Sequence, residues 1–526
     1  MCRRLLFNTP TRSLHLDGFP IPIVPTQKYL GLLLDSKLNF GPHVDSIRNR
    51  CLRRLNILRC IAGQNWGADR TTLLRFYTSL IRPILEYNSF LFDNISQTRK
   101  ASLEAVQNQA IRIITGAFRT SPTCSLLADI NLPSLQQRRL LLLTRYSIRV
   151  NAIHNHPSLA ILTNVPRIPD CDYNRNKYTI AKNLDDIRTI ALQLPDITPS
   201  FTPKLQAFWT MKTIQVQYLI KDPKRAYSNS EICDTFNDYK LLHCDSLFLY
   251  TDGSLSDSGV GAGIFGIGVK KIIRLSNYHS IFSAELIAIR EAFSIALESK
   301  WKKVVICTDS RSSANLIEAR HNCSHPIVNE IRHLNQKRPP NKTIIILWIP
   351  GHTGIAGNEK ADAFAKQSLL LPAENNIPCP ANDLINYAGK RFRAYLQGIW
   401  ETKHKHLNLI KPRLGFWQSS NQGNRKQERI LARLRIGHTG LTHQYIFDRV
   451  YGLNHPPRCQ ACEVPYTIEH FLLLCPIHRI NRRPILDFFR RNQLHPTLPA
   501  LLGNEYPELI QLLFIYLRNT RLELFI

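Results

Sequence analysis

Between His43 and Ile61 the chain reads HVDSIRNRCLRRLNILRCI, with apolar Val44, Ile47, Cys51, Leu55 and Leu58 recurring at spacings of three and four. That period puts them on one helical face, and Arg48, Arg50, Arg53, Arg54 and Arg59 take most of the other positions. Similar basic amphipathic patterns over Thr71–Tyr87 and Ser102–Thr115 predict a mostly helical region across 1–165. From 166 to 243 prolines recur, among them Pro166, Pro169, Pro195, Pro199, Pro203 and Pro223. This stretch reads as a linker with a short helix near Tyr178–Leu194. Trp209 with Lys204 and Lys212 fits a satellite core better than a nucleic-acid contact.

Over 244–370 the period alternates between two and 3.6. Leu247–Tyr250 predicts a buried strand that ends just before Asp252, where glycines loosen the backbone. Further strands are expected near Gly261–Val269, Ile272–Tyr278, Lys303–Thr308 and Thr343–Ile349. Helices are expected over Ser283–Lys300, with Ser283 as N-cap, and over Ser310–Arg320 and Asn358–Leu370. That order predicts an α/β domain with a mixed five-stranded sheet covered by helices. A helical connector (371–440), a segment rich in metal-ligand residues (441–480) and a helical tail (481–526) complete a multidomain chain.

Composition narrows the partners. The 526 residues suffice for several cores, and 68 Lys+Arg against 39 Asp+Glu leave a net charge of +29. Such a surplus favours a polyanion, most commonly nucleic acid. Thirteen scattered cysteines fit reduced thiols better than a disulfide framework. No run reaches the roughly 18 apolar residues of a membrane span, so no membrane partner is expected. The Arg-rich, acid-poor start is compatible with a transit peptide, but the residues after it read as the interior of a larger ancestral protein. The compartment, nucleus or cytoplasm, stays open.

Four carboxylates are candidates for chemistry. Asp252 and Asp309 end strands, where functional groups of open α/β sheets gather; Glu285 opens a helix and Asp362 lies in the last one. Each alone has a plainer role: a turn, a dipole partner, a cap, a solvated charge. Together they would repel by a few kcal/mol per pair at about 4 Å and an effective dielectric near 20. Two Mg²⁺ ions, with Mn²⁺ as an alternative, would relieve that repulsion and suit phosphodiester hydrolysis. His352, flanked by Gly351, Gly354 and Gly357, is placed to pass a proton to the departing 3′ oxygen. Farther on, Cys459-x2-Cys462-x7-His470-x4-Cys475 offers four ligands for a structural, tetrahedral Zn²⁺, with His455 and His478 as substitutes. Pro476 favours ending a helix near Cys475, which lets His470 and Cys475 meet. Arg433, Arg435, Arg479, Arg482 and Arg483 suggest that this tail binds nucleic acid.

Two resemblances sharpen these expectations. TDGS, AEL, TDS and GHTGxxGNExAD, in this order, resemble a type 1 ribonuclease H domain over about 125 residues. The resemblance implies the ribonuclease H fold and endonucleolytic cleavage of the RNA strand of RNA–DNA hybrids. Asp252, Glu285, Asp309 and Asp362 would then ligate metal, His352 would assist release, and Ser254, Ser310, Arg311 and Asn358 would touch the hybrid. KYLG (Lys28–Gly31), LIRPILEY (Leu80–Tyr87), LEAVQNQAIRIITGAFRTSP (Leu103–Pro122) and LPSLQQRR (Leu132–Arg139) resemble the thumb and connection of jockey-like, non-LTR retrotransposon reverse transcriptases. RIGHTGLTH (Arg435–His443) and the Cys/His spacing resemble that family's tail. The palm's Tyr-x-Asp-Asp signature does not occur, and the only Asp-Asp pair, Asp185-Asp186, sits in a helical pattern. Polymerase activity would therefore need a palm in trans. The rival expectation is a catalytically inactive, nucleic-acid-binding remnant.

Overall fold

The computed structural model describes residues 15–92, 95–153, 155–158, 197–198, 212–221, 224–319, 325–372, 377–403, 405–447 and 457–526. The first fourteen residues, the expected helix at Tyr178–Leu194, Lys204, Trp209 and His455 lie outside them. Two compact units form: one from the described residues of Met1–Leu140 and Ala394–Ile526, the other from those of Leu141–Pro169 and Ala181–Arg393.

The second unit is α/β. Its elements are β1 (Gln215–Tyr218), α1 (Asn229–Leu242), β2 (Ser246–Ser256), β3 (Gly259–Gly266), β4 (Val269–Leu275) and α2 (Ile281–Glu298). There follow β5 (Lys303–Thr308), α3 (Arg311–Glu318), α4 (Pro326–Gln336), β6 (Thr343–Trp348) and α5 (Ala356–Ser368). The sheet order is β1-β6-β5-β2-β3-β4. β1, β6, β5 and β2 run parallel, and β3 and β4 add antiparallel pairs, so the sheet is mixed.

Alternation along β2 decides which face each helix covers. Leu247 and Leu249 join Val304, Ile306, Ile344 and Ile346 against α2 and α4. Phe248 and Tyr250 point the other way and bury Ile232 and Phe236 of α1. The sixth strand, β1, and helix α1 come from the stretch expected to be linker. QVQY is too short and polar to announce a strand; it forms because the β6 edge offers unpaired backbone, which it meets from Gln215 to Tyr218. Helix α4 also escaped the sequence reading.

Two boundaries move with consequences for the site. β2 does not stop at Tyr250 but runs on, pairing with β3 as far as Ser256, so Asp252 sits mid-strand opposite Gly263. Helix α2 begins at Ile281, and the Ser283 N–H donates to Ser280 Oγ at 3.1 Å; the N-cap is Ser280 and not Ser283. The glycines here make room and do not loosen. A Cβ at Gly253 would lie 3.0 Å from the Glu285 nitrogen, and one at Gly263 would lie 2.3 Å from the Ala361 carbonyl oxygen. Those close approaches let α2 and α5 dock beside Asp252.

The first unit is mostly helical, with two short antiparallel hairpins, His15–Leu16 with Phe19–Pro20 and Thr26–Tyr29 with Leu32–Asp35, ahead of its helices. Val44, Ile47, Cys51, Leu55 and Leu58 of helix Gly41–Cys60 are all buried, with Arg48, Arg50, Arg53 and Arg59 exposed. They pack with helix Gln97–Thr115 and with Ile436 from near the other end of the chain. Buried cations tie these distant segments together at helix C-termini, where carbonyls lack intrahelical partners. Arg425 donates to the Ile113 and Ile114 carbonyls that end helix Gln97–Thr115. Lys411 Nζ donates to Ala128 and Asp129 at 3.0 and 3.1 Å, beyond which Arg70 pairs with Asp129 at 2.7 Å. Arg435 is 0% exposed and donates to Leu502 at 2.7 Å, Gly503 at 3.0 Å and both Ser419 and Ser420 hydroxyls at 2.7 Å. Arg433 reaches the Gly116 and Ile526 carbonyls at 2.8 and 2.6 Å.

These positions correct the expected basic tail. Arg433, Arg435 and Arg482 are consumed inside the fold, and only Arg479 and Arg483 of that set stay exposed. Replacing Arg435 by Leu would leave two carbonyls and two hydroxyls unmet, and is expected to destabilise this unit by roughly 2–4 kcal/mol in urea unfolding. Any affinity of the protein for RNA or DNA should be unchanged in this variant, once compared at equal folded fraction. A weakened binding without lost stability would contradict the structural role.

Candidate functional site

The parallel register of β2 with β5 builds the first half of the site. Thr251 lies beside Thr308, so the next residues are brought side by side, Asp252 within β2 and Asp309 just past the end of β5. Helix α2 brings Glu285 to them across Gly253. Carboxylate oxygens of Asp252, Glu285 and Asp309 all lie within 4.8 Å of one another. Asp252 and Glu285 are buried. Gly253 N–H donates to Asp252 Oδ1 at 2.7 Å, and Asn358 Nδ2 to Asp309 Oδ2 at 3.5 Å. Glu285 Oε2 is buried with no hydrogen-bond partner among the described residues. An oxygen left so is costly unless a cation meets it.

The electrostatics agree. Burial, then the charges of Asp309 and Asp362, push the Asp252 carboxyl up to about 7. Burial and the Asp252 charge hold Glu285 well above the carboxylate range, and burial raises Asp309 too. This donor set suits a hard divalent cation, which oxygen ligands of like charge require to stay ionised together.

Helix α5 and the loop before it complete the site. His352, Glu359 and Asp362 place ligand atoms within 4.8 Å of one another. His352 is exposed, with left-handed backbone at φ 54°, and its charge bears on Asp309. The loop is pinned around it: Thr353 is buried, its hydroxyl donates to the Pro350 carbonyl at 3.0 Å, and its carbonyl accepts from Cys233 Sγ at 3.1 Å. Lys366 Nζ, one turn on, donates to Asp362 Oδ2 at 2.8 Å. Glu359 was not singled out from the sequence. Its signal was its place three residues before Asp362, which puts both on one helix face.

Among the residues expected to touch a hybrid, Ser254 is half-buried on β2 and Ser310 stands just before α3, its Oγ 2.8 Å from Ser313 Oγ. Arg311 is exposed and lies over the Trp348 ring at 5.0 Å. Asn358 is buried, with its amide turned to Asp309 and not outward.

In the helical unit, Cys459, Cys462, His470 and Cys475 bring their ligand atoms within 4.8 Å of one another, Cys459 Sγ and Cys475 Sγ at 3.8 Å. A tight turn, π-helical over His470–Leu474, closes before Pro476 and brings Cys475 back beside His470. Arg482 donates to the Phe471, Leu472 and Cys475 carbonyls at 3.2, 2.7 and 3.0 Å and fixes that turn. Burial opposes ionisation of the Cys459 thiol, but contacts from His470 and the Ala461 and Cys462 N–H groups bring it down to about 6. A Cys3His set of this kind could bind zinc. His478 stands apart, edge-on to Tyr516.

Comparison with known proteins fits this geometry. Residues 245–369 match the RNase H family model, and the mixed sheet with its acidic cluster is an RNase H domain. The chain is also similar to RNA-directed DNA polymerases of Drosophila melanogaster elements. It is 26% identical over 145 residues to the probable enzyme from transposon BS, covering 28% of this chain and 16% of that protein. For the probable enzyme from transposon X-element the values are 25% over 135 residues, 26% and 15%. For that of the mobile element jockey they are 23% over 160 residues, 30% and 17%. The domain is homologous to these non-LTR retrotransposon polymerases, and the matched stretches span about a sixth of their length.

A carboxyl raised from 3.8 to about 7 binds more protons in the folded than in the unfolded chain between those values. In Mg²⁺-free buffer the α/β unit should therefore lose stability as the pH rises from about 4 to 7. Asp252→Asn should flatten that slope and stabilise the metal-free protein at pH 8 by about 1–3 kcal/mol in thermal unfolding. An unchanged slope would contradict the crowding of the acids.

Proposed function

We propose that this protein cleaves the RNA strand of RNA–DNA hybrids endonucleolytically and depends on divalent metal to do so. The observation that carries this is the convergence of three carboxylates within 4.8 Å, one with an orphaned buried oxygen, beside an exposed histidine. Asp252, Glu285, Asp309 and Asp362 would hold two Mg²⁺ ions, for which Mn²⁺ can substitute. Bound there, the ions would neutralise the acids, polarise the phosphodiester and lower the pKa of water.

The chain's own side chains do the rest. Asn358 steadies Asp309. His352, outside the buried cluster but within reach of its field, hands a proton to the departing 3′ oxygen. Glu359 and Asp362 flank that imidazole with their carboxylates. Ser254, Ser310 and Arg311 border the acids and contact the hybrid backbone, where the stacked guanidinium of Arg311 can meet a phosphate. The exposed arginines of helix Gly41–Cys60 fit a polyanionic partner. Cys459, Cys462, His470 and Cys475 would hold a structural Zn²⁺, which would tie Cys475 to the turn at Cys459.

Purified protein with Mg²⁺ should cut the RNA strand of an end-labelled hybrid, and Asp309→Asn should lower the rate at least about 100-fold without loss of fold. Folded protein that binds the hybrid and leaves it intact would turn the reading to a nucleic-acid-binding remnant. For the tail, one zinc per chain is expected by metal analysis, lost in Cys475→Ser together with several degrees of thermal stability. Full stability without zinc would leave the cluster as buried thiols.

A further inference from the structure

Glu285 meets Asp252 and Asp309 only while α2 keeps its place along its own axis, and α2 is gripped at both ends. At its C-terminus Lys342 Nζ donates to the carbonyls of Ala296, Leu297 and Ser299 at 2.7, 2.9 and 2.6 Å. At its N-terminus the backbone N–H of Ser280, the N-cap, donates to Oδ2 of Asp383 at 2.8 Å. A cation thus sits at the negative end of the helix dipole and an anion at the positive end.

Asp383 is 5% exposed and belongs to helix Ala381–Glu401, beyond the residues 245–369 that match the RNase H family. The segment around it is built onto the same place. Tyr387 meets Tyr278 edge-on at 4.8 Å, just before α2. Cys379, Leu384 and Ala388 form a small buried cluster against which Tyr278 packs. His279 Nε2 lies 3.4 Å from the Pro378 carbonyl. Ser280 precedes Glu285 by five residues, about 7.5 Å of helix, so a shift at the anchor carries directly to the carboxylate.

We propose that Asp383 is a positioning residue for the acidic site: an anchor from outside the RNase H homology that fixes α2 and thereby holds Glu285 among the other carboxylates. The proposal rests on the reading of the site as a metal-dependent nuclease. It acts through a charge-assisted hydrogen bond to a helix-capping backbone, not through contact with substrate.

The test uses the whole 526-residue chain as wild type, Asp383→Ala and Asp383→Asn, the last keeping an acceptor but losing the charge. Two readouts are taken: amide hydrogen exchange across α2, and the Mg²⁺ concentration for half-maximal hybrid cleavage beside the hybrid KM. In Asp383→Ala, exchange over 281–286 should quicken about tenfold relative to 290–298. The Mg²⁺ requirement should rise about fivefold with KM within twofold, because only the metal-holding geometry is loosened. Asp383→Asn should fall between wild type and Ala in both. A folded Ala variant with wild-type exchange or wild-type Mg²⁺ requirement would overturn the proposal. If Ala does not fold, Asn at wild-type values in both readouts would do so. If the wild-type chain cuts nothing, the nuclease reading falls by itself. Exchange together with calorimetric Mg²⁺ binding then decides the anchor: unchanged values in the Ala variant overturn it.

Discussion

Like charges forced together at one end of a sheet are the constraint around which the α/β unit is built. Asp252, Glu285 and Asp309 would separate if the backbone allowed it, since burial and neighbouring carboxylates, Asp362 among them, raise the proton affinity of each. Three features prevent separation. The six-residue parallel ladder between β2 and β5 locks two of the acids side by side. The bare backbone at Gly253 admits α2, and apolar layers on both faces of the sheet hold the strands in register. A cluster strained in this way is poised for cations, and its stability is linked to whether they are present.

The same physics, with signs reversed, organises the helical unit. Its segments lie hundreds of residues apart in sequence, and buried or half-buried Arg and Lys side chains join them by reaching carbonyls at helix ends. Lys411, Arg425, Arg433 and Arg435 each do so, and Arg482 does it for the turn that gathers Cys459, Cys462, His470 and Cys475. Burial brings Arg435 down to about 9 and Lys411 to about 8, yet carbonyl dipoles surround both. A net charge of +29 is therefore not all available to nucleic acid. Part of it is structural, and the part that remains exposed lies on faces such as that of helix Gly41–Cys60.

Much of the α/β unit was legible because its signals are local. β5 was read at its observed bounds, since Val304, Val305, Ile306 and Cys307 form an apolar run between polar ends. The acids and His352 stood out by motif; Asp252, Glu285 and Asp309 lie within 4.8 Å of one another, while Asp362 and His352 form a second group with Glu359. What the sequence hid depends on tertiary context. QVQY becomes a strand only beside β6, and Ser280 outcompetes Ser283 as cap because the chain turns there against Asp383. The burial of Arg435 could not be read from a helical pattern in which it looks like any solvated cation. Glu359 was hidden for another reason: its meaning lies in the loop that folds His352 back toward its helix.

The most direct test of the central claim is a crystal structure of the protein grown with Mn²⁺, using the metal's anomalous scattering to place it. Mn²⁺ is expected between the carboxylates of Asp252, Glu285 and Asp309, with Asp362 at its border. The 526-residue chain with well-ordered acids and no Mn²⁺ among them at millimolar concentration would contradict that site.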